Sequence, residues 1–267
     1  MPKVKVSDIE MYYECVGDGA PVVLVTGYGA DLFQWTLQVP ELSQHHTVYM
    51  VDNRGVGLSD KPDGPYTIKM MADDLAGFFD AVEIDRAHLV GHSMGGMISQ
   101  QFALEHPDKL RSLTLASTTC RVPRGADLML SLWTDILEQL GVEAFVNNII
   151  AWCFTLDYVE TQFDALMMMR DMMVEHLRER PLAPGPFRSQ CAAASSFDLA
   201  DEIHNIRVPV MVLVGGNDIL TPPTFSETIA ERIPGSSLNI IAGGHAFNQE
   251  VPSAFNRALL EFFEQYE

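Results

Sequence analysis

The sequence predicts an α/β protein: a mostly parallel central sheet covered by helices on both faces, interrupted by one inserted helical segment. Two observations carry this. Short, continuous apolar runs alternate with stretches of helical spacing, as expected where each strand is followed by a covering helix. The alternation then stops between about Arg121 and Phe197 and resumes at Val208-Pro209-Val210.

The strand runs are Val22–Thr26, Val48–Asp52, His88–Gly91, Leu113–Ala116, Val210–Gly215 and Leu238–Ile241. Most are apolar throughout, the pattern of parallel strands buried on both faces. Ahead of them, Met1-Pro2-Lys3-Val4-Lys5 leads into a polar, strand-like segment. Thr67–Ala81 carries Ile68, Met71, Leu75, Phe78 and Phe79 at near-helical spacing. Met94–Glu105 is rich in helix formers and stops before Pro107, which cannot continue a helix. The interrupting stretch reads as the helices Leu128–Leu140, Val142–Ala151, Tyr158–Arg180 and Ser189–Ser196. The expected organisation is therefore a core of residues 1–120 and 198–267, with residues 121–197 as a helical cap over the sheet's carboxyl edge. Open α/β sheets bind ligands at that edge.

Composition narrows the function. Seventeen basic against 36 acidic residues give a net charge of −19, with no Lys/Arg run. Such a field repels phosphate and anionic lipid, so no nucleic acid and no membrane are expected as partners. Cys15, Cys120, Cys153 and Cys191 form no CxxC pair and no zinc-like spacing, which fits a reducing compartment. There is no signal-like apolar region and no run near the ~18 residues that a spanning helix needs. A cytoplasmic location is the expectation.

The chemistry centres on Gly91-His92-Ser93-Met94-Gly95, a Gly-x-Ser-x-Gly pattern that ends a strand and opens a helix. A serine on so sharp a turn leaves no room for side chains two residues either side, hence Gly91 and Gly95. The helix opening at Met94 aims its N–H groups and dipole at the serine oxygen. His92 is expected to point away from the site. A serine hydroxyl needs a base. Of the eight histidines, His88 lies in a strand, His106 ends a helix, and His45–His46 read as a surface loop. His245 follows the last strand run, in Ala242-Gly243-Gly244-His245-Ala246-Phe247, and is the expected base. Asp218, in the loop after Val210–Gly215, is the expected acid that holds the imidazole in one tautomer. Asp52 also ends a strand and is expected to be structural. The oxyanion of acyl transfer needs preplaced donors. The Met94 N–H and the Tyr28 N–H, the latter in Thr26-Gly27-Tyr28-Gly29-Ala30-Asp31, are the candidates.

With these residues in place, the chain resembles the α/β-hydrolase superfamily over essentially its whole length. The order Ser93, Asp218, His245 is the chain order of that fold. The stretch Asp52-Asn53-Arg54-Gly55-Val56-Gly57-Leu58-Ser59 resembles its Asp-x-Arg-Gly-x-Gly-x-Ser loop, and Gly244-His245 followed by Glu250 and Pro252 its C-terminal signature. The resemblance is to small capped serine hydrolases: carboxylesterases, enol-lactonases, meta-cleavage-product hydrolases and cofactor-free haloperoxidases. Thr26-Gly27 stands where many members have His-Gly. Gly27-Tyr28-Gly29 and Ala246 replace the Ser-Gly-Pro-Gly loop and the tryptophan usual in meta-cleavage-product hydrolases. Ser93 in place of an aspartate argues against epoxide hydrolase and haloalkane dehalogenase chemistry.

The implied activity is hydrolysis of a carboxylic ester through an acyl-enzyme, with no metal or organic cofactor. The implied ligand is a small to medium apolar ester or related acyl compound, and a homodimer stays open. Lactone hydrolysis and C–C bond hydrolysis by the same three residues stay open too, as does a slow-turnover signalling receptor on the same fold. Trp133, Phe145, Trp152, Phe154, Phe163 and the six methionines of the inserted stretch (Met129, Met167, Met168, Met169, Met172, Met173) serve either as an apolar pocket lining or as its helical core.

Overall fold

In a computed structural model of the chain, which describes residues 2–266 except the side chain of Asp127, eight strands form one sheet. Residues 1 and 267, the outer bounds expected for the core, lie outside the described residues. The strands are β1 (Lys3–Val6), β2 (Ile9–Val16), β3 (Ala20–Val25), β4 (His46–Val51), β5 (Ala87–His92), β6 (Leu110–Ala116), β7 (Val210–Gly215) and β8 (Ser237–Ile241). Their spatial order is β1-β2-β4-β3-β5-β6-β7-β8. β1 and β2 pair antiparallel and β2 joins β4 antiparallel, and every later pairing is parallel.

The helices are α1 (Val39–Leu42), α2 (Ile68–Ala81), α3 (Met94–Glu105), α4 (Ala126–Leu140), α5 (Val142–Cys153), α6 (Leu156–Thr161), α7 (Phe163–Glu179), α8 (Pro184–Ser195), α9 (Pro223–Arg232), α10 (Phe247–Glu250) and α11 (Pro252–Phe263). Both sheet faces are covered, and β3 shows how. Val23 and Val25 pack with Leu75 and Phe78 of α2 and Ile98 and Phe102 of α3. Val22 and Leu24, alternating onto the other face, pack with Leu42 of α1 and Phe255, Leu259 and Phe263 of α11. A strand sandwiched this way must be apolar at every position, which is why its run is continuous.

The helices α4 to α8 fall between β6 and β7 and share a third apolar cluster, which includes Trp133, Phe145, Leu166, Val174 and Phe187. Val56 and Ala246, from loops at the sheet's edge, join that cluster.

Several local expectations need correction. The stretch expected as one helix, Tyr158–Arg180, is two, α6 and α7, separated at Gln162 (φ −122, ψ 26). The helix expected at Ser189–Ser196 starts earlier, at Pro184, since a proline in the first turn forfeits no hydrogen bond. Leu238–Ile241 belongs to β8, which has a neighbour on one side only, so Ile240 is 53% exposed. His46 is not in a surface loop: it lies in β4, buried against the ring of Phe263 at 5.3 Å. α9 and α11 lie outside the helices expected from the sequence.

Topology places the site. β3 sends its chain to β4 on one side, and β5 sends its chain to β6 on the other. The loops after β3 and β5 therefore part at adjacent carboxyl ends and leave a crevice between them.

Candidate active site

Ser93 stands in that crevice, at the turn from β5 into α3, with φ +56 and ψ −121. This conformation is strained for a residue with a side chain and persists only where its surroundings enforce it. Ser93 N donates to Ala116 O at 2.9 Å. Its carbonyl accepts from Gly96 N at 2.9 Å and Thr118 Oγ1 at 2.7 Å. The two glycines are steric necessities: a Cβ on Gly91 would lie 2.3 Å from Gly95 O, and one on Gly95 would lie 2.3 Å from Val25 O.

Asp218 follows β7 and His245 follows β8. Backbone bonds from Gly216 N to Ile241 O (2.7 Å) and from Asn217 N to Gly243 O (2.9 Å) tie these two loops together. His245 Nδ1 lies 2.9 Å from Asp218 Oδ2. The carboxylate also accepts from Leu220 N and Thr221 N, both at 2.9 Å, and from Thr221 Oγ1 at 2.8 Å. Burial alone would raise the Asp218 carboxyl, but the His245 charge and these hydrogen bonds outweigh it and hold it at about 2. An ionised carboxylate only accepts, so Nδ1 carries the ring proton and Nε2 keeps a lone pair for a serine proton.

Ser93 and His245 both line one cavity of about 490 Å³. No hydrogen bond joins the Ser93 hydroxyl to His245 among the described residues. Such bonds are commonly long until a substrate closes them. The loop Thr26–Asp31 passes directly over the elbow, where a Cβ on Gly27 would come 3.2 Å from Ser93 Cβ. Among the described residues, neither the Tyr28 N–H nor the Met94 N–H has an acceptor, and both residues line the cavity. Chemically, the arrangement places a serine hydroxyl, an imidazole oriented by a carboxylate, and two N–H donors without acceptors among the described residues around one cavity.

Three residues whose contacts the sequence does not disclose hold these groups in place. Thr221 Oγ1 bridges Asp218 to within 3.1 Å of His245 Nδ1; its only sequence signal is its place three residues after the acid. His92 does not point away from the site. Its Nε2 donates to the His245 carbonyl at 2.9 Å, with the two rings 4.8 Å apart. Burial first, and the His245 charge second, push His92 down to about 3, so it is neutral and acts as a fixed donor. Glu250 accepts from Gly244 N (2.9 Å), Thr155 N (3.0 Å) and Thr155 Oγ1 (2.7 Å), joining the His245 loop to the inserted helices. Asp52, expected to be structural, accepts from Leu32 N and Leu58 N at 2.8 Å.

The cavity wall is mainly apolar, with Met129, Trp133, Phe145, Met169 and Met173 from the inserted helices. One grouping of metal-ligating side chains occurs among the described residues, at Asp73, Glu105 and His106, away from the cavity lining. There Lys69 Nζ already bonds Asp73 and Glu105 at 2.9 and 3.0 Å.

Residues 20–251 match the family described as the alpha/beta hydrolase fold. A protein named "Putative carbamate hydrolase RutD" from Azorhizobium caulinodans is 31% identical over 265 residues, 98% of each chain. The crystal structure of an enol-lactonase from Burkholderia xenovorans is similar with a TM-score of 0.89 and 30% identity, over 98% of this chain and 100% of that one. A thermophilic esterase from Thermogutta terrifontis gives a TM-score of 0.88 at 27% identity, over 100% and 99% of the two chains. No helix among the described residues is long and apolar enough to cross a membrane.

Proposed function

The chain belongs to the α/β-hydrolase family and is a hydrolase, and from that premise we propose that it cleaves carboxylic esters, lactones included, through an acyl-enzyme on Ser93. The observation that carries this reading is the buried Asp218–His245 contact at 2.9 Å, which sets His245 in the lining of a cavity shared with Ser93 and with Tyr28 and Met94, whose N–H groups have no acceptor among the described residues.

Ser93 Oγ attacks the carbonyl carbon as its proton passes to His245 Nε2. The carbonyl oxygen becomes an oxyanion between the Tyr28 and Met94 N–H groups, where fixed donors need no reorganisation. The tetrahedral adduct collapses, and the alcohol leaves with the proton from His245. In a lactone the same alcohol stays attached to the acyl chain. Water then attacks the acyl carbon, gives its proton to His245, and releases the acid and free Ser93. Asp218 stabilises the imidazolium at each transfer.

The lining favours an apolar acyl or alcohol group over a small polar substrate. The relatives named for carbamate hydrolysis raise carbamate as a second reading, supported by alignment over nearly the whole chain. A carbamate ion would bury almost none of the methionine and aromatic wall, whereas each buried CH₂ adds about 0.8 kcal/mol. Inserted helices roofing the cavity fit the role of a cap that selects by shape.

The test is a p-nitrophenyl ester series from acetate to octanoate, with Ser93→Ala as control. Wild type should gain roughly fourfold in kcat/KM per CH₂ until the cavity fills, and Ser93→Ala should lose nearly all turnover at little cost in stability. Full turnover in Ser93→Ala would sink the mechanism. Turnover below about 0.01 per second on every ester, against an enzyme median of ~10, would favour the receptor reading.

A further inference from the structure

The loop that carries Tyr28 is held along its length, with Gly27 N donating to Gln34 Oε1 at 3.1 Å just before Tyr28. Asn53 Nδ2 donates to Thr26 O at 3.2 Å, at the loop's start. Asp52 Oδ1 accepts from Leu32 N at 2.8 Å, at its end. The middle is fixed by Gln190, on α8 of the inserted helices: its Oε1 accepts from Gly29 N at 3.0 Å, and its Nε2 donates to Arg54 O at 2.7 Å. A carbonyl on one side and an N–H on the other leave the amide one orientation. Arg54 is itself immobilised by Asp74, its Nη2 donating to Asp74 Oδ1 at 2.8 Å. Gln190 is fully buried, so nothing in solvent competes for its two bonds.

The rest of α8 and α4 clasps the same segment. The Tyr28 ring stacks on Phe187 at 4.4 Å and 3°, and its hydroxyl lies 3.0 Å from Thr134 Oγ1. Gly29 takes φ +67, and a Cβ there would lie 2.5 Å from the Phe187 ring. The peptide next to the Tyr28 N–H is thus set by residues more than a hundred positions away.

We propose that Gln190 is a positioning residue for the oxyanion site: by bridging the Gly29 N–H to the Arg54 carbonyl through its own amide, it aims the Tyr28 N–H at the developing oxyanion and makes inserted helix α8 part of the catalytic geometry. This rests on the acyl-enzyme reading above. Gln190 touches no reacting atom, so its removal acts on the transition state and leaves ground-state binding nearly intact. Losing an oxyanion donor outright costs about 10²–10³ in kcat, and a misaimed donor should cost a fraction of that.

The test compares Gln190→Met and Gln190→Glu with wild type on p-nitrophenyl butyrate. Fluorophosphonate labelling to completion counts the folded, reactive sites. Gln190→Met should lose about 30-fold in kcat per labelled site, with KM within about threefold. The Ki of an alkyl trifluoromethyl ketone, whose adduct places an oxyanion at the same donors, should rise in parallel. In Gln190→Glu a protonated carboxyl can restore both bonds and a carboxylate cannot donate to Arg54 O. Its activity relative to wild type should therefore climb as pH falls from 8 to 6. Unchanged kcat and Ki per labelled site in Gln190→Met would overturn the proposal, as would a loss explained wholly by fewer labelled sites. If Gln190→Met does not fold, a flat Gln190→Glu ratio across that pH range overturns it. A silent Ser93→Ala beside such a result would leave the acyl-enzyme reading standing; an active Ser93→Ala would remove both.

Discussion

Replacing Asp218 with asparagine changes one atom and reverses the polarity of the contact that matters. Asp218 Oδ1 accepts from Leu220 N and Thr221 N, both at 2.9 Å. An amide oxygen can keep both bonds, which fixes how the new side chain sits. Its NH₂ group must then face His245 Nδ1 where Oδ2 now lies at 2.9 Å. Two donors cannot share that gap, so the imidazole moves its proton to Nε2 and presents a lone pair at Nδ1. The base is then protonated at the atom that should receive the Ser93 proton. The same exchange in the Ser-His-Asp template lowers kcat about 10⁴-fold, equivalent to roughly 5 kcal/mol of barrier. Stability should fall as well. The carboxyl stands at about 2 in the folded chain against an ordinary 3.8, worth roughly 2 kcal/mol. Because the folded value is the lower one, that contribution is present above about pH 4 and disappears as pH falls towards 2. Steady-state hydrolysis of p-nitrophenyl butyrate at pH 7.5, with urea unfolding at pH 7.5 and pH 3, measures both. A folded Asp218→Asn protein with kcat within tenfold of wild type would refute the argument that tautomer control by Asp218 is what activates His245.

Three further outcomes follow from the same geometry. Thr221→Val removes the hydroxyl that bonds Asp218 Oδ2 at 2.8 Å; it should lower kcat/KM by about tenfold or less and move the acid limb of its pH profile, and an unchanged profile would count against Thr221 as part of the relay. Gly91→Ala places a Cβ 2.3 Å from Gly95 O and should cost over ~3 kcal/mol in urea unfolding or prevent folding; a stable, active Gly91→Ala protein would contradict the packing described for the elbow. His88 and His92 are both pushed down to about 3, chiefly by burial, so the unfolded chain binds more protons below its ordinary value of 6.5. Stability should therefore decline from pH 7 to pH 5, by up to about 2 kcal/mol for each histidine, and a flat urea profile over that range would show that neither ring is buried neutral.

The sequence by itself determined what depends on neighbours in the chain. The Gly91-His92-Ser93-Met94-Gly95 turn is a local steric problem, so its glycines announce it. The continuous runs of β3, β5, β6 and β7 report burial on both faces, and their alternation with helices dictates a parallel sheet. From these followed the loops carrying Ser93, Asp218 and His245 and their common edge. Only the tertiary structure decided which side chains meet there. Gln190 reaches Gly29 across 161 positions, His92 reaches the His245 carbonyl across 153, and Glu250 reaches Thr155 across 95. None of these contacts has a periodicity or a spacing to betray it. His46 makes the same point: beside His45 it reads as surface, and only a neighbouring strand and the Phe263 ring show it buried. The elbow that carries Ser93 is written in five consecutive residues, whereas the contacts that fix the loop beside it come from helices that fold back from elsewhere in the chain.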